Sequence, residues 1–494
     1  MTQASDDIVL VAGAMRVSRT EFHDRVARAV TVLRDLGLGD AGPAGDCIGI
    51  ALRNCPQFFE LGAAAAMIGG RSVPIAWRLK QDEVRYLVDD SGAKMVFYDA
   101  ASAEQMSGMP GMSLDEYDAR LAAARPAPGI ADTPLRFNMQ LYSSGTTGRP
   151  KAIDRGQPTP EQLQRLQSGA FNMPKVMGVD GPGEVHMLSG PLYHSQPIGF
   201  STQALMAGQR VVMMTGGFDA ETCLATIERE KVTWITCVPT HFIRILALPE
   251  AVRSRYDLSS LKAVMHSAAP CPRDIKAAMM AFLPPDVVWE VYGGTEGAMT
   301  MISPQEARAK LGSVGRPFPP GTELKVLDDE GAPLPAGVSG LIYGQPMMSF
   351  SYRGANAANQ ETWRGDLYTL GDVGYLDEDG YLFITDRLKD MIISGGANIY
   401  PAEVEAVLFN HPAVGDVSVI GVPDAHWGEK VKAIVELRGA AGEADIIAFC
   451  RTHLAHYKCP TSVDFVDTLP RDPNGKVRKR ELRESYWADA GRTV

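Results

Sequence analysis

A short run of hydroxyls, glycines and a lysine, Ser143-Ser144-Gly145-Thr146-Thr147-Gly148-Arg149-Pro150-Lys151, follows the stretch Phe137-Asn138-Met139-Gln140-Leu141-Tyr142, which reads as a strand end. Glycines let successive N–H groups turn inward around an anion, hydroxyls add neutral donors, and Lys151 adds a compact positive charge. This is chemistry suited to a polyphosphate. The spacing is not that of a Walker loop. A plain Gly/Ser/Thr surface turn uses the same residues, so the run alone leaves both readings open.

Other candidates lie further along. Tyr292-Gly293-Gly294-Thr295-Glu296-Gly297 follows an apolar strand over 287–291, the usual ligand position in an open α/β sheet. Glu296 could hold Mg²⁺ between phosphates, or sit in a solvated tight turn. Tyr368-Thr369-Leu370-Gly371-Asp372 offers a carboxylate that could accept both hydroxyls of a ribose, or form an Asx turn. Thr385-Asp386-Arg387-Leu388-Lys389-Asp390 is as charge-dense as a linker, and Arg387 could reach the same nucleotide. Asn474-Gly475-Lys476 is a turn whose lysine could offset charge developing at phosphorus, or belong to a basic tail.

Elements must hold these groups in place. A chain of 494 residues suggests two or more domains, and 45% hydrophobic with 22% charged residues is a globular composition. The net charge of −11 argues against a nucleic-acid surface. Seven cysteines, scattered without metal spacing, read as reduced core thiols of a cytoplasmic protein. The first residues have neither the basic nor the apolar region of a signal peptide, and the apolar stretch 61–70 is too short to span a membrane. Ser18-Arg19-Thr20-Glu21 reads as a capping box opening a helix. Apolar runs at 47–52, 73–76, 95–98, 211–214, 232–238, 263–265 and 287–291 alternate with helical segments at 221–230 and 272–282. That alternation predicts α/β layers with largely parallel sheets. After about residue 310, prolines, turns and short strands predict a β-rich subdomain; another helix and strand set begins after Lys389.

Taken together, these segments resemble the adenylate-forming superfamily: acyl-CoA and aryl-CoA ligases, luciferases and peptide-synthetase adenylation domains. The resemblance runs from about Arg16 to Glu481, with the motifs in the family's order. It implies a large N-terminal domain, residues 1–388, and a small mobile α+β C-terminal domain, residues 389–494, with Lys389 at the hinge. It implies ATP phosphates on Ser143, Ser144, Gly145, Thr146, Thr147, Gly148 and Lys151. Adenine would be lined by Ser267, Ala268, Ala269, Tyr292 and Gly293, with ribose on Asp372 and Arg387. Thr295 would sit at the phosphate, Glu296 on Mg²⁺, and Lys476 would serve adenylation. The implied reaction makes an acyl-adenylate and then passes the acyl group on after domain rotation.

An apolar acid pocket is expected from His194, Val238, Thr240, Gly293, Gly294 and Met299, the two glycines leaving room for a bulky or aromatic acid. The acceptor is expected to be coenzyme A, with an amine as the alternative and a non-catalytic nucleotide-binding regulator as a reading of another class. Ala152 departs from the glycine that most of the family has after the lysine, which suggests a different path for the preceding loop. Partners are small molecules, with no nucleic acid and no membrane span; a homodimer is one option for the assembly.

Overall fold

The computed structural model describes residues 7–39, 45–143, 150–156, 159–160, 162–164, 172–388, 390–394, 397–424, 426–471 and 477–487. Its largest sheet has nine strands. From one edge to the other they are Arg316–Pro317, Gly297–Ile302, Val288–Gly294, Ala263–His266, Trp234–Cys237, Val185–Leu188, Arg210–Met213, Ile8–Ala12 and Met15–Ser18. The inner strands from Val288–Gly294 to Ile8–Ala12 pair in parallel, and antiparallel strands close both edges. Trp234–Cys237 and Ala263–His266 are buried at every position, because both faces are covered.

One face packs on the helices Arg19–Asp35 and Pro56–Met67 and on a four-stranded parallel sheet, Arg71–Pro74, Cys47–Ala51, Ala93–Tyr98 and Gly111–Ser113. The other face is covered by Ala220–Glu230, Pro239–Ala247 and Arg273–Phe282. Ser18 caps the first helix by accepting the Glu21 N–H. The β-rich part is a six-stranded sheet built from strands between Leu324 and Arg387. A three-stranded antiparallel sheet, Phe350–Tyr352, Lys151–Arg155 and Tyr142–Ser143, lies beside it.

The last part buries a core of its own. Ile392, Val404, Val417, Val431, Ile446 and Val463 pack together between a five-stranded sheet and the helices Pro401–Leu408 and Glu443–Arg451. The architecture is α/β with mostly parallel layers, a β-rich sheet and a C-terminal α+β portion.

Candidate active site

The parallel strands deliver their carboxyl ends to one edge of the nine-stranded sheet. Ser267 follows His266, Val238 follows Cys237, and the segment before His194 follows Leu188. Ligand sites in open α/β sheets sit at such an edge. Ala268 there has φ +73 and is exposed. A left-handed non-glycine residue costs about 1–2 kcal/mol, and strain of this kind gathers at functional sites.

The strand Val288–Gly294 does not end at a loop as the sequence suggested. It runs through Tyr292-Gly293-Gly294 and turns back at Thr295-Glu296 into Gly297–Ile302. A Cβ on Gly293 would lie 2.4 Å from the Gly297 carbonyl oxygen and 2.6 Å from Ala298 Cα. The room expected beside Gly293 is therefore taken by the returning strand, and close hairpin packing accounts for this glycine. A Cβ on Gly294 would meet Glu296 Oε2 at 2.4 Å.

Glu296, only 6% exposed, is held at the hairpin tip. Tyr352 Oη donates to its Oε1 at 2.7 Å. Arg155 donates from Nη2 to the Thr295 carbonyl at 2.8 Å and from Nη1 to the Glu296 carbonyl. Lys151 Nζ lies 5.3 Å from the centre of the Tyr352 ring, a cation–π contact. Ser143 pairs with Lys151 across the antiparallel ladder, so both ends of the hydroxyl-rich run are anchored near Glu296. Residues Ser144, Gly145, Thr146, Thr147 and Gly148 of that run lie outside the described residues, as do Lys389 and Lys476.

Asp372 and Arg387 face each other across two antiparallel strands, Asp372–Leu376 and Leu382–Arg387. Arg387 Nε donates to Asp372 Oδ1 at 2.8 Å, and Tyr292 Oη donates to Oδ2 at 2.7 Å. Asp372 is 4% exposed. Each carboxylate oxygen keeps a second lone pair, so the group can still accept from a diol.

Helix Ser195–Met206 begins beside this hairpin: Ser195 Oγ is 3.5 Å from Thr295 Oγ1. A cleft of about 220 Å³ opens along that helix, lined by Ser195, Gly199, Phe200, Gln203, Ala298 and Met347, among others. Among the described residues its wall carries no charged side chain.

Two family descriptions match the chain: "AMP-binding enzyme" over residues 1–349 and "AMP-binding enzyme C-terminal domain" over residues 403–476. The chain belongs to the AMP-binding enzyme family. It is similar to a feruloyl-CoA synthase of an Amycolatopsis species, 33% identical over 491 residues that cover 96% of this chain and 95% of that one. It is 31% identical to the fatty acid–[acyl-carrier-protein] ligase ScoC of Streptomyces coeruleorubidus, over 96% of this chain and 92% of the relative. In shape it resembles ATP-bound MatB from Rhodopseudomonas palustris, with a TM-score of 0.85, 26% identity and coverage of 100% and 98%. It also resembles the amide bond synthetase McbA from Marinactinospora thermotolerans, with a TM-score of 0.81, 26% identity and coverage of 97% of each chain. This member of the AMP-binding family is thus an enzyme of the AMP-forming ligase kind.

Within that family frame, the acid-pocket residues expected from sequence need sorting. Met299 is 2% exposed and packs with Ile153, Phe350, Tyr352 and Tyr368 under the β-rich sheet. Strand alternation sends Ala298 to the cleft and Met299 to the opposite side. His194 does not line the cleft. It is the residue at which helix Ser195–Met206 starts, with its ring 4.5 Å from that of Tyr193. Burial pushes its imidazole down to about 4, so it is neutral at ordinary pH, and its buried Nε2 has no hydrogen-bond partner among the described residues. Val238 and Thr240 sit at the start of the neighbouring helix Pro239–Ala247 and are not among the described residues that line the cleft. Ala152 is a buried residue of a regular strand, so alanine there carries no backbone strain.

Sequence reading missed Tyr352 and Arg155, which hold the hairpin tip from 56 and 141 residues away. It also missed Phe200 and Gln203, which line the cleft. Among the described residues no helix is long and apolar enough to cross a membrane, and no three His, Cys, Asp or Glu side chains cluster as a metal cage.

Proposed function

We propose that this chain activates a carboxylic acid with ATP and transfers the acyl group to the thiol of coenzyme A. The observation that carries the reading is the convergence of Lys151, Tyr352 and Glu296 at the hairpin tip, next to the Tyr292–Asp372–Arg387 group. A carboxylate oxygen of the acid attacks the α-phosphorus of ATP; the bond to the β-phosphate bridging oxygen breaks, and pyrophosphate leaves. The thiol then attacks the acyl carbon, the acyl–phosphate bond breaks, and AMP leaves.

Asp372, with Arg387 and Tyr292 fixing its two oxygens, takes the ribose hydroxyls. Ser267, Ala268 and Ala269, with Tyr292 and Gly293, form the adenine face. Thr295 donates to a phosphate, and the run from Ser143 to Lys151 holds the leaving pyrophosphate. A single buried carboxylate, oriented by a tyrosine, suits Mg²⁺, which takes one or two protein carboxylates and otherwise substrate oxygens. Glu296 would hold it, and the ion would neutralise charge on the phosphates. Lys476 is assigned to the adenylation step, and the mobile C-terminal part to residues 389–494, with Lys389 at the hinge. The separate core in that part supports this division.

A second acceptor, an amine, is favoured by the whole-chain likeness to an amide bond synthetase. The test is a panel of acids with ATP and Mg²⁺, read first as pyrophosphate release and then as product mass with coenzyme A or amines. A thioester at saturating coenzyme A is expected. An amide with no thioester would overturn the thiol reading.

A further inference from the structure

The cleft along helix Ser195–Met206 carries more information than its position. Its walls combine Met173, Phe200, Phe318 and Met347 with small Gly199 and Ala298. An apolar cavity of about 150 Å³ binds one benzene ring. At about 220 Å³ this cleft is roughly half as large again. It has room for one ring with a short arm, or for two fused rings. Because the described wall residues hold no charged group, a second carboxylate would find no ionic partner among them, and an unpaired carboxylate is costly to desolvate.

Gln203 places an amide in this wall. Gln203 lies eight residues after Ser195 on the same helix face, roughly 12 Å along the axis. Its orientation is set by a neighbour. Asn172 Oδ1 accepts the Lys175 N–H at 3.0 Å, which fixes that atom as an oxygen. Gln203 approaches the same oxygen at 3.3 Å, so it must present Nε2 there. Its Oε1 is left as an acceptor, with no partner among the described residues. Ser195 and Thr295 mark the reacting end of the cleft, and Gln203 marks its far end.

Resting on the ligase reading above, we propose that the acid is a neutral aryl carboxylic acid of one or two rings. Its distal edge carries a hydrogen-bond donor, a hydroxyl or ring N–H, that Gln203 Oε1 accepts. Gln203 is then a specificity-determining residue, and Phe200 and Phe318 supply aromatic wall to the ring.

The experiment compares 4-hydroxycinnamate, cinnamate, 4-carboxycinnamate and hexadecanoate in pyrophosphate release, with wild type and Gln203→Met. The hydroxylated acid should exceed cinnamate by about tenfold in kcat/KM, the size of one neutral hydrogen bond. The dicarboxylate and the long-chain acid should fall further behind. In Gln203→Met the ratio of hydroxylated to plain acid should fall towards one, with the melting temperature used to check folding. Preference for hexadecanoate, or an unchanged ratio in the variant, overturns the proposal. Calorimetric titration of 4-hydroxycinnamate, without turnover, separates the two readings. If no acid releases pyrophosphate yet the variant binds about tenfold more weakly, the ligase reading fails and the cleft assignment stands.

Discussion

At the scale of residues, the chemistry rests on side chains that are individually ordinary and become specific through what holds them. Glu296 is a glutamate in a turn until Tyr352 takes one of its oxygens and Arg155 takes the carbonyls on either side. Removing the tyrosine hydroxyl leaves a buried carboxylate free to rotate. Partners that orient a metal-holding group commonly account for 10- to 100-fold in metal affinity. For Tyr352→Phe we expect the Mg²⁺ concentration giving half-maximal pyrophosphate release to rise by about tenfold. A lower rate with unchanged Mg²⁺ dependence would refute the metal-holding assignment of Glu296. The types and order of Glu296, Asp372 and Arg387 were readable in the sequence, because each sits in a short motif. Tyr352 and Gln203 were not. Neither stands in a motif, and their partners are brought close only by the folded chain.

At the scale of elements, the hairpin Val288–Gly294 to Gly297–Ile302 positions both Thr295 and Glu296. Its closeness depends on Gly293, where a Cβ would press on the opposite backbone. Backbone cannot step aside as a flexible side chain can, so Gly293→Ala must splay the strands. Overpacking of this kind costs about 1–3 kcal/mol. Chemical denaturation should show a loss of that order, and pyrophosphate release should fall because the hairpin tip moves. A variant with wild-type stability would mean the strands separate freely. The inner parallel strands were legible because burial on both faces leaves continuous apolar runs, as in Trp234–Cys237. The hairpin was misread as a strand followed by a loop, since Gly293 and Gly294 signal a turn in any local reading. Met299 was misassigned for a related reason. Its face follows from register with the opposite strand, and local composition carries no register.

At the scale of the whole molecule, the junction before the C-terminal part has its own titrating group. Asp386, the penultimate residue of the strand Leu382–Arg387, accepts the Ala402 N–H at 3.0 Å, at the start of helix Pro401–Leu408. Desolvation pushes its carboxyl up to about 6, against the attraction of Lys479 and with repulsion from Glu405. Lys479 itself pairs with Glu405 at 2.8 Å, and Arg483 with Asp390 at 3.3 Å, so the junction is ringed by charge. An exposed aspartate titrates near ~4. Between roughly pH 4 and about 6, the packed junction holds a proton that an opened one releases. The contribution of this group is therefore full below about pH 4 and is lost as pH rises through about 6. Hydrogen exchange at Ala402 and its neighbours, corrected for intrinsic rates, should report an opening equilibrium at least tenfold larger at pH 7 than at pH 4.5. Asp386→Asn should flatten that dependence, since a neutral amide pays no desolvation penalty on staying closed. If the variant keeps the full pH dependence, another group controls the junction. If wild type shows none, Asp386 is ionised throughout, and its proton does not hold the junction closed.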